Sequence, residues 1–563
     1  MENESTFVAP EGVYTITEEH KPTLLPHIAS APAVYPTRVS SIVIRFLGTK
    51  SGGAPGFAQL LGGNKESRKE KPKDDEISLS SSDTPNEDTP AATQENVSST
   101  REHTLFAASP AAGKKKSISR PKHNIKTTSS TFITRIQNSE GFPRSLQSKQ
   151  GDVTFMLYNV SKSFFWIEAG AKTKEPLARV TFSAFPTCHD INTTTSSSER
   201  LDVIIGFSTG DLVWLDPITS RYARLNKQGS ITNSPCTAVR WVPSSASLFI
   251  VAHADGTIIV YDKERDDGNF TPQDPAGESP SSKPWDPIDS IFVTMPPWHP
   301  VSSGGLSIPS KDKVAKNPVS HWRVSRRAVV DFVFSPDVKY VAAISEDGCL
   351  RVIDALAEQL VDCYASYFGA LTTVAWSPDG RFILTGGQDD LLTIFSPWEQ
   401  RVVARCQGHS SFVSAVAFDD LRCDGRTYRF GSVGEDNKLI LWDFSSGALH
   451  RPKFQPTHQQ RMSMASTVSL AFRRDRSTLY LPGADESSSP FLRFHPAPSR
   501  NEIAVVQPCL IKPIEGDILS TLTFLPRSIL TSNKTGLIKL WIRPLALRPR
   551  IKHRQQVPDL DVL

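Results

Sequence analysis

Three residue types that hydrolases combine stand near one another at His409, Ser432 and Asp436, with Trp442 close behind. A serine nucleophile needs an imidazole within hydrogen-bond reach and a carboxylate to orient that imidazole. A structural chemistry uses the same groups differently. Polar groups buried between strands have to be paired. No catalytic residue is assigned.

Cys188-His189-Asp190 also has the types of a nucleophile or metal set. Three adjacent residues on an extended chain point to alternating faces and do not converge on one atom. The motif is therefore read as structural or as a candidate partner-binding motif. Gly62-Gly63-Asn64-Lys65 lacks the spacing of a phosphate-binding loop. No G-x-S-x-G elbow, H-E-x-x-H motif or paired-carboxylate signature stands out. The seven cysteines include no C-x-x-C pair, so neither a disulfide framework nor a zinc site is indicated. No metal and no cofactor is expected.

These chemistries must be carried by a chain of 563 residues, 38% hydrophobic and 22% charged, which is long enough to bury a large core. Its 63 basic and 59 acidic residues balance too closely to argue for nucleic acid. Basic clusters at Lys114, Lys115, Lys116, Arg120, Lys122 and His123, and at Arg548, Arg550, Lys552 and Arg554, are not interleaved with aromatics. Each is open between a targeting patch and a solvated charge run. No apolar run reaches the ~18 residues that span a bilayer, and no secretory signal is visible. The expected compartment is intracellular, cytoplasmic or nuclear or both, with sequons such as Asn269-Phe270-Thr271 unused.

The N-terminal region 1–129 reads as largely disordered, because Ser51 to Ser129 is rich in Ser, Thr, Pro, Lys and Glu and poor in aromatics. Within it, Pro32 to Leu47 is more apolar and reads as a short docking segment. Polar insertions run at about 266–318 and 451–499, and a basic tail at 545–563. Arg461-Met462-Ser463 and Arg474-Asp475-Arg476-Ser477 are candidate phosphorylation sites in the second insertion.

Between these segments lies a repeat. Tight turns fall at Lys162, Gly210, Gly256, Gly348, Asp390, Asn437 and Gly536. Four separations lie between 42 and 48 residues, and two, of 92 and 99, are about double. The long gaps are open between one blade plus an insertion and a hidden weak blade. After most turns comes a strand rich in β-branched and aromatic residues, such as Leu439-Ile440-Leu441-Trp442-Asp443. Such a unit is a small sheet with two apolar faces. Radial stacking buries both faces and ring closure protects the edges.

Gly408-His409, Ser432, Asp436 and Trp442-Asp443 resemble the WD40 signature, and the period agrees. The resemblance implies a structural relay in which Asp436 accepts from His409 and the hydrogen bonds run on toward Ser432 and Trp442. The expected fold is all-β, a WD40 β-propeller of seven blades over 130–544. Leu215, Tyr261, Ile353 and Ile394 take the place of Trp442 in four other blades. Pro186-Thr187-Cys188-His189-Asp190-Ile191-Asn192, Ile205-Gly206-Phe207-Ser208-Thr209-Gly210 and Ala252-His253-Ala254-Asp255-Gly256 carry a narrower resemblance. They are similar to the fungal creC family of catabolite repression proteins and to its animal relatives, WD-repeat activators of ubiquitin-specific proteases. The resemblance covers Ser130 to Pro544. It implies a non-catalytic scaffold that binds and stabilises or activates a CreB-like deubiquitinase in carbon catabolite repression. The alternative is a generic WD40 adaptor, such as a substrate receptor of a ubiquitin ligase. No nucleic acid and no membrane is expected as a partner. Ring closure is expected from Thr131 to Ile136, paired beside Leu537 to Trp541.

Overall fold

The computed structural model describes residues 4–21, 35–46, 119–171, 175–273, 275, 285–298, 315–445, 447, 493–499 and 502–544. These residues form seven antiparallel-based sheets, six of five strands and one of four, arranged as the blades of a propeller. A short α-helix, Phe142–Gln147, is the one α-helix among them. Blade six shows the basic unit: Val413–Phe418 innermost, then Thr427–Gly434, Lys438–Ser445 and Pro508–Pro513 outermost.

Both faces of a blade are buried because both are apolar. In blade two every residue of Val203–Phe207 and Leu212–Asp216 is buried. Alternate residues serve different junctions: Ile205 and Leu215 pack toward blade one, while Ile204 and Trp214 join Val239, Phe249 and Tyr261 of blade three. Each such side chain, fully buried, contributes ~1.5–3 kcal/mol.

All seven turn positions join the second and third strands of a blade. Five carry a left-handed residue at the expected place among Gly210, Gly256, Gly348, Asp390 and Asn437, and Gly536 adds a sixth. In blade one the left-handed residue is Ser161, next to Lys162. Gly256 has no substitute, because a Cβ there would meet the Ser325 carbonyl oxygen at 2.1 Å. Each long gap proves to be one blade plus an insertion. Residues 263–319 leave blade three between Thr257–Asp262 and Ser320–Arg323. The other insertion leaves blade six after Ser445, and its returning arm adds Phe494–His495 to blade four and Ala504–Val506 to blade five, both in parallel.

Three expectations are corrected. Ring closure comes from the N-terminus: Gly12–His20 pairs with Ile538–Ile542, and Thr6–Ala9 adds a fifth strand to blade seven. Ile133–Asn138 instead pairs with Ala178–Phe182 as the outer strand of blade one. Phe7, Tyr14 and Trp541 form one buried aromatic group, so the early chain has the apolar payload that closure needs. Second, the segment read as a docking peptide is the innermost strand of blade one, Val39–Phe46, paired over its whole length with Gly151–Val160. Third, the propeller therefore draws on residues before Ser130: 4–21, 35–46 and His123–Asn124, which edges blade two. The segment 51–118 and the tail from 545 lie outside the described residues.

Strand alternation defines two rims. The second-to-third-strand turns and the connections between blades share one rim, called upper here. The other within-blade turns share the lower rim. All three long connections, 47–150, 263–319 and 446–507, join strands at the lower rim.

Candidate functional site

The four relay residues converge in blade six. The His409 Nδ1 lies 3.0 Å from Asp436 Oδ1, and its Nε2 lies 2.8 Å from Ser432 Oγ. Trp442 Nε1 donates to Ser432 Oγ at 2.9 Å. The donors fix the direction. Asp436 accepts the Nδ1 proton, Nε2 accepts from the Ser432 hydroxyl, and that hydroxyl accepts from the indole. Burial pushes the Asp436 carboxyl up, but the hydrogen bond from His409 and the Ser410 amide outweigh it and hold it well below the carboxylate range. Ser432 and Trp442 are fully buried. No substrate atom can reach Ser432 Oγ, which is already bonded on both sides.

The relay is reduced elsewhere. Blade seven keeps the tryptophan step, with Trp541 Nε1 donating to Thr531 Oγ1 at 3.0 Å. In blade five the strand register puts Phe395, not Ile394, in the place of Trp442. The Phe395 ring has no N–H to donate, and the buried Thr385 Oγ1 has no hydrogen-bond partner. Blade two substitutes a different knot: Asp202 accepts from Trp214 Nε1 at 2.9 Å, Arg200 Nε at 2.9 Å and Lys263 Nζ at 2.9 Å.

Cys188, His189 and Asp190 lie on Pro186–Ile191, the inner strand of blade two. Cys188 and His189 are buried and Asp190 is half-buried. His189 Nε2 lies 3.1 Å from the Leu157 carbonyl oxygen of blade one, and Asp190 Oδ2 accepts from the Trp241 amide of blade three at 2.7 Å. Burial holds the His189 imidazole down at about 4 and pushes the Cys188 thiol up to about 11. The motif bolts three blades together. Its unusual residues are explained by those cross-blade bonds.

A surface that sequence reasoning missed lies on the upper rim. Tyr367 and Phe368 sit on the connection from blade four to blade five and are 40% and 71% exposed. Phe412, on the next connection, is 41% exposed. Their loops are held firmly. Ser366 N donates to the Gly348 carbonyl at 2.7 Å, and Gln388 and Ala370 exchange two bonds. Asp436 reaches past the relay to accept from Ser410 N at 2.9 Å, and Glu435 N donates to the Phe412 carbonyl at 2.8 Å. The relay thus fixes the loop that presents Phe412. Arg405 packs over the Tyr367 ring at 4.5 Å. The sequence signal was present: three aromatics in connectors where small polar residues are the rule.

Among the described residues no group of three or more His, Cys, Asp or Glu side chains is placed to hold a metal ion, and no helix is long and apolar enough to cross a membrane. Lys122 forms an exposed ion pair with Asp266 at 3.1 Å, and His123 lies in the outer strand of blade two. Lys114 to Lys116, Ser463, Ser477 and the basic tail lie outside the described residues.

Seven radial sheets, the relay and the closure by an N-terminal strand define a WD40-repeat propeller. The WD domain, G-beta repeat model matches residues 361–396, which run from the outer strand of blade four through three strands of blade five. The chain is 37% identical over 420 residues to the UBP9-binding protein bun62 of Schizosaccharomyces pombe, covering 74% of this chain and 75% of that protein. It belongs to the same WD-repeat family as bun62.

Proposed function

We propose that this protein is a non-catalytic WD40 scaffold that binds a ubiquitin-specific protease, stabilises or activates it, and through deubiquitination regulates carbon catabolite repression. The observation that carries the reading is the kinship with a protein named for binding UBP9, over three quarters of that protein. The resemblance of the first-blade motifs to the creC family supports a CreB-like deubiquitinase as that partner. Tyr367, Phe368 and Phe412 supply the surface: rigid, exposed aromatics of the kind that anchor interfaces. The scaffold would hold the protease in a productive conformation and shield it from degradation.

The test mixes the purified chain with a CreB-like ubiquitin-specific protease and follows cleavage of a ubiquitin–fluorophore conjugate. A complex with a higher rate or a longer protease lifetime is expected. Phe368→Ser with Phe412→Ser should weaken the complex at least tenfold, about 1.4 kcal/mol, with an unchanged melting curve. No complex and no change in rate or lifetime would remove the proposal. Recruitment to a cullin ligase instead would favour the adaptor reading.

A further inference from the structure

Ser119 opens the short segment that carries the outer strand of blade two, His123–Asn124. It is exposed, and its hydroxyl donates to Glu264 Oε1 at 2.9 Å. Arg200 Nη2 donates to its carbonyl oxygen at 2.5 Å. Glu264 is also exposed and stands at the start of the insertion that leaves blade three. One serine thus joins two of the three long connections at the lower rim.

We propose that Ser119 is a phosphorylation site for a serine kinase that selects basic residues, and that its phosphate undocks residues 119–125 from blade two. The inference goes beyond the deubiquitinase reading and does not depend on it.

The sequence supplies what such a kinase recognises. Lys114, Lys115 and Lys116 precede the serine by five, four and three residues. A kinase with an acidic peptide groove gains from pairing with those ammonium groups.

The docked segment is held by few bonds. Pro121 is buried, and Ile125 packs on the core between blades one and two. The other ties lie at the surface. They are a two-residue ladder to Arg221 and Tyr222, the exposed Lys122–Asp266 pair at 3.1 Å and the Ser119–Glu264 bond. Exposed pairs of this kind hold little. Such an edge opens more often than the blade it borders, and the kinase takes the serine from the open state.

The transfer balances. Ser119 Oγ forms a bond to the γ-phosphorus of ATP, the bond from that phosphorus to the bridging oxygen breaks, and ADP leaves. The hydroxyl proton goes to the base of the kinase. The product cannot donate to Glu264, and it brings about −1.5 to −2 charges against that carboxylate. The neighbouring cations are already engaged. Arg200 grips the buried Asp202 through Nε and Nη2, and Lys122 pairs with Asp266. Repulsion therefore outweighs recapture, and the open state is the one the phosphate favours.

The full-length chain, wild type and Ser117→Ala, is treated with ATP and the catalytic subunit of cyclic-AMP-dependent protein kinase. Ser117→Ala removes the rival acceptor two residues away. Phosphopeptides are mapped, and amide hydrogen exchange is followed over 119–126 and 221–225. Expected are a phosphate on Ser119 and at least tenfold faster exchange in both segments. Glu264→Gln, which removes the opposing charge, should take the same phosphate and exchange no faster than its untreated form. Absence of phosphate from Ser119 would overturn the proposal. So would a phosphorylated chain whose exchange is unchanged, or slower because Arg120 and Arg200 recapture the phosphate.

Discussion

Weakening the N-terminal hairpin should open the ring, and two substitutions test this. Phe7 is 6% exposed and packs on Tyr14 at 4.7 Å and on Trp541 at 5.2 Å between ring centroids. Phe7→Ala deletes that packing. Such changes cost ~3–5 kcal/mol in a core, and an outermost strand can relax, so about 3 kcal/mol is expected. At the hairpin's turn, Glu11 Oε1 accepts from Arg429 Nη1 at 2.6 Å and from Tyr14 Oη at 2.5 Å. Glu11→Ala leaves Tyr14 without its partner. Arg429 keeps Asp443, which it grips at 2.6 and 2.8 Å, so the loss is below that of a stranded charge, about 2–3 kcal/mol. Burial raises the Glu11 carboxyl, but Arg429 and Tyr14 outweigh it and the net shift is downward. Its contribution is therefore present above the unfolded value and lost as pH falls. The assay is the urea midpoint and slope of the full-length chain. The control is Arg45→Ala, whose pair with Asp152 at 3.9 Å is exposed and contributes ~0–1 kcal/mol. If Phe7→Ala and Glu11→Ala stay within the control's range at neutral pH, closure by the N-terminal hairpin does not hold the ring.

Two further substitutions probe buried polar groups. Burial pushes the Glu358 carboxyl up to about 7, with the nearby Ser320 and Trp322 side chains recovering only part of the cost. Its folded value lies above its unfolded one, so stability falls as pH rises from the unfolded value through 7; Glu358→Gln should exceed wild type by about 3 kcal/mol at pH 8 and lose that advantage by pH 5, read from urea midpoints. Ser432→Ala orphans Trp442 Nε1 and His409 Nε2 together and should cost roughly 2–4 kcal/mol in the same assay, whereas a hydrolase reading would have predicted intact stability and lost turnover.

The repeat was legible because each second-to-third-strand turn needs a left-handed residue between two β-rich runs, a local signature that survives in one sequence. The relay was legible for a related reason: only blade six retains all four residue types at once. Closure was not, because Gly12–His20 meets Ile538–Ile542 across more than five hundred residues and carries no repeat pattern. The inner strand of blade one, Val39–Phe46, was hidden likewise, since a long polar segment separates it from its neighbour Gly151–Val160. The bonds that Cys188-His189-Asp190 makes across blade junctions were not legible either, because their partners Leu157 and Trp241 lie on other blades far along the chain. The Ile394 assignment slipped by one residue, since the double apolar run Leu391-Leu392 offers two registers and only strand pairing chooses between them.

The placement of the long connections bears on where a partner can sit. All three join strands at the lower rim, and the strands described within them lie on outer edges: Ile133–Asn138 on blade one, His123–Asn124 on blade two, Phe292–Thr294 on blade three, and the arm after Arg493 on blades four and five. Each added strand covers an edge that would otherwise offer unpaired backbone groups to another chain. The connections between blades four, five and six are short and tightly bonded at the upper rim, and they carry Tyr367, Phe368 and Phe412. A scaffold gains affinity when its contact residues are already ordered, because little conformational entropy remains to be lost on binding. The same relay that satisfies the interior of blade six also pins Ser410 through Asp436. Stability of that blade and pre-organisation of the Phe412 loop are thus coupled, and Ser432→Ala should weaken partner binding through the loop although Ser432 itself is fully buried.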